Sequence, residues 1–324
     1  MKKSLLALAV LGAFAGAASA QSNVTIYGVV DIGLTRLSSD STSTRVGLDS
    51  SIQSGSRLGF KGTEDLGGGL SAEFKLENGF AVDTGAMGQG GRIFGRQAYV
   101  GLNGGFGSVK LGRQYMPAFL AVDTIDPFGT GMAGDGSAWI GGNIFGAIDV
   151  RTSNAIDYSI SAGGISGEVL YGLGEVAGNT SANRQFGFSL GYEKGPINAV
   201  LAYHKVNDAT GNGSAKATIL GGTYNFGPAK AHLAFDSEKN DSGSATTLDV
   251  RTWLVGVSAP IGSAGSLFGD YIRHDDRTAA NVDLNQVAIG YTHALSKRTN
   301  IHTSYARVNT NGVNMFEVGI RHKF

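Results

Sequence analysis

Residues 313–324 read Val313-Asn314-Met315-Phe316-Glu317-Val318-Gly319-Ile320-Arg321-His322-Lys323-Phe324. Phe316, Val318, Ile320 and Phe324 share one parity, with His322 in an otherwise apolar series; Glu317, Arg321 and Lys323 share the other. A two-residue period with oil on one side and charge on the other marks a strand lying between two unlike media. Beyond residue 20, no stretch offers the roughly 20 uninterrupted apolar residues of a membrane-crossing helix. A chain that spans hydrocarbon with strands must close its sheet, because only a closed ring leaves no backbone N–H or C=O unpaired in lipid.

Working outward from that strand, the other terminus reads as a leader. Lys2 and Lys3 precede a short apolar run, and Ala18-Ser19-Ala20 supplies small residues before Gln21. This pattern predicts an export signal over 1–20 and a mature chain over 21–324. Of the 26 Lys and Arg residues, two lie in the leader, leaving 24 against 26 Asp and Glu. That balance lacks the basic excess of a nucleic-acid binder. Cysteine is absent, so disulfides, thiol nucleophiles and thiolate metal sites are excluded. Glycine contributes 51 residues without a three-residue period, which excludes collagen, and 16 Phe and 11 Tyr are too many for simple disorder.

Two-residue alternation recurs along the whole mature chain. Strands are predicted at 24–36, 56–65, 70–80, 92–102, 106–113, 151–162, 165–173 and 184–193. They continue at 197–207, 215–226, 229–237, 247–259, 265–274, 282–294, 299–309 and 313–324. Sixteen is an even number, as a bacterial single-chain barrel needs. Short connections such as Gly67 to Gly69 and Gly163-Gly164 alternate with longer loops rich in Ser, Thr, Asn, Asp and Gly. The expected fold is a single-domain, 16-stranded antiparallel transmembrane β-barrel with short periplasmic turns and longer external loops. Tyr27, Phe60, Tyr99, Phe106, Tyr192 and Phe226 near strand ends are candidates for interfacial aromatic girdles. Small residues on one parity, such as Ala288 and Gly290 opposite Val287 and Ile289, leave room for a lumen.

Residues 114–150 break the rhythm. Phe119, Leu120, Ile125, Phe128, Trp139, Ile144 and Phe145 are too apolar for a freely solvated loop. Folding this third loop into the lumen shelters them and brings Asp123, Asp126 and Asp135 to a constriction; the alternative is an external flap. Arg57, Arg96 and Arg151 lie on strands around it. Parity groups Arg57 with Gly59 and Lys61, and Arg96 with Ala98 and Val100 opposite Tyr99. Arginines on one wall and carboxylates opposite would set a transverse field across a narrow aqueous path.

Ordered phrases along the chain resemble the general porins of Gram-negative bacteria, especially the beta-proteobacterial type of Neisseria and Comamonas relatives. They are Asn23-Val24-Thr25-Ile26-Tyr27-Gly28, Ser56-Arg57-Leu58-Gly59-Phe60-Lys61-Gly62 and Gly69-Leu70-Ser71-Ala72-Glu73-Phe74. Arg96-Gln97-Ala98-Tyr99-Val100-Gly101-Leu102, Gly107-Ser108-Val109-Lys110-Leu111-Gly112-Arg113-Gln114 and the terminal Gly319 to Phe324 complete the set. The resemblance implies an outer-membrane homotrimer, one diffusion channel per subunit for small hydrophilic solutes and ions, and an inward third loop. It implies wall arginines at Arg57, Arg96 and Arg151, further lumen candidates at Lys75, Arg92 and Arg113, and a frequent preference for anions. The loop departs from the family's commoner Pro-Glu-Phe-Phe wording. Phe324 resembles the signal read by the outer-membrane assembly machinery, and the lipid partners implied are outer-membrane lipid and lipopolysaccharide.

Nothing points to catalysis. The six histidines form no H-E-x-x-H or other compact zinc pattern, and neither G-x-S-x-G nor a phosphate-loop motif occurs. No cofactor, metal or nucleic-acid partner is expected. The competing reading is a structural or adhesive barrel with a closed lumen.

Overall fold

The computed structural model describes residues 23–135, 150–241, 246–309 and 312–324. The expected leader, 1–20, lies outside them, as do Trp139, Ile144 and Phe145 of the long internal segment. The strands are β1 (Asn23–Ser38), β2 (Arg45–Ser50), β3 (Arg57–Gly67), β4 (Leu70–Gly79), β5 (Gln97–Gly104) and β6 (Gly107–Tyr115). A helix, α1 (Pro117–Ile125), precedes β7 (Arg151–Ala162), β8 (Ile165–Gly172), β9 (Gln185–Lys194), β10 (Ile197–Asn207) and β11 (Ser214–Asn225). The chain finishes with β12 (Lys230–Asp241), β13 (Thr246–Ile261), β14 (Gly265–Asp276), β15 (Leu284–Ala294), β16 (Thr299–Val308) and β17 (Val313–Lys323).

The strands pair antiparallel with their neighbours around the ring, and β17 returns to β1 in the register Val29↔Lys323 to Ser38↔Asn314. The inner half of β1 pairs with β3 and its outer half with β2. These two segments therefore occupy one position, and the ring has sixteen. Its seam is completed by Gly28 and Phe324, each donating its N–H to the other's carbonyl at 3.1 Å. The short strand β2 falls inside the Ser/Thr-rich stretch expected to be loop.

Alternation separates two faces. On β14, Leu267 and Tyr271 are exposed while Phe268, Asp270 and Ile272 are buried. What buries the second face is the third loop. Pro117 sits at the helix start, where its missing N–H costs nothing. Ala118, Ala121, Val122 and Ile125 then recur at helical spacing and pack on Val200, Ile219, Ala234, Leu254 and Ile272. Farther on, Phe128, Met132 and Ala133 pack on Phe268, Ala288, Ala306 and Met315. The loop thus lies inside the ring, and part of it is helical, which the sequence pattern did not foretell. Some small wall residues serve as sockets rather than open space. An added Cβ at Gly256 would come 2.7 Å from Pro127, and one at Gly290 would come 2.8 Å from the Phe128 ring.

The aromatic expectation holds in part. Phe106, Tyr192 and Phe226 are exposed near the short turns. Tyr27 and Tyr99 instead face the lumen, where Tyr27 donates to Glu77 and Tyr99 lies beneath the Lys110 ammonium.

Asp126 ends α1. Its N–H reaches the Val122 carbonyl at 3.0 Å, and its carboxylate accepts the Phe128 and Thr130 N–H groups at 2.8 and 2.9 Å. Burial, reinforced by the neighbouring Asp135 charge, pushes this loop carboxyl up to about 8.

Two outcomes follow from the docked loop. Ile125→Ala removes a side chain that is 1% exposed, and should weaken loop docking by about 2–4 kcal/mol while the barrel persists. Limited proteolysis in detergent reads this as faster cleavage near α1 in a barrel that still migrates as folded. The raised Asp126 carboxyl favours the docked state in its protonated form. Its contribution is complete below the free-acid value near 3.8 and is lost as pH rises toward about 8. Loop cleavage should accelerate across that window, and Asp126→Asn should flatten the dependence; a pH-independent rate in the unaltered protein contradicts this.

Candidate functional site

The basic cluster is built on contiguous strands of the wall that the helix leaves uncovered. Glu77 of β4 is 1% exposed and points to the lumen. Arg96 donates Nε–H to Glu77 Oε1 at 2.8 Å, and the Tyr27 hydroxyl donates to Oε2 at 2.8 Å. The Lys75 ammonium stands 3.9 Å from the same carboxylate. Lys61 and Lys75 lie 5.4 and 5.8 Å from the centre of the Tyr27 ring.

Tyr115, the last residue of β6, joins two arginines. Its hydroxyl accepts N–H bonds from Arg96 at 2.6 Å and from Arg151 at 2.8 Å. The Arg151 guanidinium carbon lies 4.4 Å from the ring centre, within cation–π range. The opposite side of this assembly reaches the loop, because Tyr115 stacks on Phe119 of α1 with centroids 5.3 Å apart. Arg57 bonds the Gly55 carbonyl at 2.8 Å through Nε, and its terminal nitrogens make no hydrogen bond among the described residues. Arg57, Lys75, Arg96 and Arg151 are therefore gathered around one carboxylate and one phenol. Guanidinium groups suit such a place, being permanently charged and less strongly hydrated than ammonium.

Arg96 reaches the cluster by a route that parity missed. Val100 is exposed on the outer face, while Gln97 and Gly101 are buried on the inner one. Arg96 precedes β5 in a bend, and that bend releases it from the strand's alternation. Arg113 donates to the Gly95 carbonyl at 2.7 Å and to Ser153 Oγ at 2.9 Å, which braces this bend. Arg92 lies in the segment before β5, exposed, and bonds the Gln89 carbonyl at 3.0 Å.

The three loop carboxylates separate by environment. Asp123 is exposed and accepts the Thr130 hydroxyl at 2.9 Å. Asp126 is engaged with loop backbone as described, and Asp135 is buried in a turn whose N–H meets the Met132 carbonyl at 3.1 Å. Glu77 and Tyr115 were not singled out from sequence, although Glu77 shares the strand parity of Lys75 and Tyr115 extends the Leu111-Gly112-Arg113-Gln114 phrase; Tyr27 was expected at the interface rather than in this cluster.

A second set of bonds fixes the far part of the loop. The Asp31 carboxylate accepts N–H bonds from Ile52, Gln53 and Ser54 at 3.1, 3.0 and 2.8 Å. The Ile52 carbonyl in turn accepts the Met132 N–H at 2.7 Å. Ser304 Oγ accepts the Ala133 N–H at 3.1 Å, and Gln286 donates its side-chain N–H to the Gly134 carbonyl at 3.0 Å. The loop is thus pinned to wall strands on both sides of the seam.

Comparison with known proteins agrees with this geometry. The family model for Gram-negative porins matches residues 7–313. An outer membrane porin protein of Bordetella pertussis is 34% identical over 388 residues, covering the whole of both chains. Outer membrane porin protein 32 of Delftia acidovorans is 36% identical over 318 residues, covering 94% of this chain and 89% of that protein. Among solved structures, an anion-selective porin from Comamonas acidovorans aligns with a TM-score of 0.79 at 30% identity, over 94% of this chain and all of that one. A Salmonella typhi OmpF structure aligns with a TM-score of 0.73 at 15% identity, over 94% of this chain and 98% of that one, which speaks to the fold alone. The chain belongs to the Gram-negative porin family, and is a non-catalytic outer-membrane channel for passive diffusion.

Proposed function

We propose that the channel prefers small hydrophilic anions, and that Arg57, Arg96 and Arg151, with Lys75 beside them, form the selecting wall. The observation that carries this is the convergence of Arg96 and Arg151 on the single Tyr115 hydroxyl, next to the Glu77 carboxylate. Positive charge exceeds negative there, and the low-dielectric wall focuses the excess into the aqueous path. Asp123, exposed on the loop, is the carboxylate suited to stand opposite; Asp126 and Asp135 act mainly in holding the loop. Arg113 supports the wall, and Arg92 belongs to the entrance. The relative from Comamonas acidovorans, described as anion-selective, supports the same reading.

Further parts of this reading are a homotrimer with one channel per subunit, contact with lipopolysaccharide, export directed by residues 1–20, and recognition of Phe324 by the assembly machinery. The chain's membership of an outer-membrane family and the solvent-accessible terminal ring, 47% exposed, support these points. A closed structural or adhesive barrel has no such support.

A unit charge about 7 Å from the pore axis acts in water with roughly 0.6 kcal/mol, halved by screening at about 0.1 M salt. The anion-to-cation ratio responds twice to that potential. Arg57→Gln and Arg151→Gln should therefore each lower chloride-over-potassium permeability about threefold. Reversal potentials across a planar bilayer in a KCl gradient measure it. Insertions of unaltered protein should conduct in steps grouped by three. Unchanged reversal potentials in both variants would remove these arginines from selection. Arg96→Gln is the poorer test, since it strands the buried Glu77.

A further inference from the structure

The outer face of the barrel carries an arrangement that the channel does not use. Lys205 of β10, Lys216 of β11 and Lys239 of β12 are direct cross-strand neighbours: Lys205 pairs with Lys216, and Lys216 with Lys239. They share outward parity with Leu201, Leu220 and Leu233, which are exposed, and stand at the end of the barrel bearing the longer loops. Like charges directly opposite each other destabilise a sheet. Lys239 is relieved by Asp241 at 3.9 Å, with Asp249 across from it. Among the described residues, neither Lys205 nor Lys216 takes part in an ion pair.

Directly beside Lys205 lies a cavity of about 290 Å³ lined by Tyr171, Arg184, Phe186, Tyr203, Lys205 and Asn207. Its other cation, Arg184, also lacks an ion pair among the described residues. Phe186, Phe188 and Tyr203 form a ring cluster at this place, with centroids 5.9–6.4 Å apart. Over β10 to β13, from the middle of the barrel toward its short-turn end, a second, apolar groove of about 560 Å³ runs over Leu220, Leu233, Phe235, Trp253 and Val255. Trp253 and Phe235 are in contact there, with centroids 4.4 Å apart.

We infer that Arg184, Lys205 and Lys216 form a headgroup site for a phosphorylated lipid of the outer leaflet, whose acyl chain lies in the groove beneath. This rests on the outer-membrane orientation given above and names the residues of its lipid contact. Phosphate supplies the negative charge that two opposed lysines lack, and charge-assisted bonds to arginine and lysine are the stronger kind. The aromatic cluster suits the boundary between headgroup and chain. An apolar groove that begins at Leu220, four residues below Lys216 on β11, favours a lipid over a free anion. Outward placement separates the site from the lumen, so it leaves conduction alone.

The test is binding of diphosphoryl lipid A to the detergent-solubilised protein, read by native mass spectrometry. Each basic residue near a lipid surface contributes about 1 kcal/mol, so Lys205→Gln with Lys216→Gln should weaken binding about 30-fold. Lys194→Gln with Lys297→Gln, at the short-turn end, should leave it unchanged. Unaltered protein should prefer diphosphoryl to dephosphorylated lipid A by about tenfold or more. Conductance should be the same for all variants, so loss of lipid binding and loss of the channel are read separately. Equal lipid affinity in the Lys205 and Lys216 variant overturns the inference. So does indifference to the phosphates, binding of inorganic phosphate as tight as that of lipid A, or crosslinking that shows a second copy of the chain on this face.

Discussion

Every feature of this molecule answers to the demand that hydrocarbon places on a peptide group. Strands in lipid have no water to satisfy their edges, so the sheet must meet itself. The two reciprocal bonds between Gly28 and Phe324 do this at the seam. Closure then divides side chains by parity alone, with Leu220, Leu233, Trp253 and Ile289 outside and Asp31, Glu77, Asp236 and Glu317 inside. A chain with nearly balanced total charge can therefore have strongly unequal local charge, since only inner residues act on a passing ion.

The inner surface is itself unequal. Helix α1 and the loop after it cover the wall from β9 to β17, using small residues as sockets for Pro127 and Phe128. The uncovered wall from β3 to β7 carries the arginines. Tyr115 ties the two halves, because its hydroxyl accepts from Arg96 and Arg151 while its ring lies on Phe119. The proposed selecting arginines and the start of the inward loop thus meet at one side chain.

The strands were legible because period two is a local property, read over a few residues without knowledge of partners. β7 and β10 coincide with the expected ranges 151–162 and 197–207. The site was legible only where alternation runs unbroken. Arg57 obeys it; Arg96 sits in a bend, and its direction depends on its ion pair with Glu77 of the neighbouring strand. Asp126 was read as a lumen charge from composition, whereas its environment is set by a helix end. That helix was hidden because Ala118, Ala121, Val122 and Ile125 repeat over fewer than three turns and draw their stability from the wall they touch. β2 was missed for a similar reason, since six residues in a Ser/Thr-rich stretch become a strand only against β1.

Asp31 belongs to the strand that seals the ring, and its carboxylate gathers Ile52, Gln53 and Ser54, the first of which holds Met132. Strand β1 therefore has two duties, closing the wall through its pairing with β17 and placing the far part of the loop through Asp31, so a change of its backbone position reaches both the ring and what lies inside it.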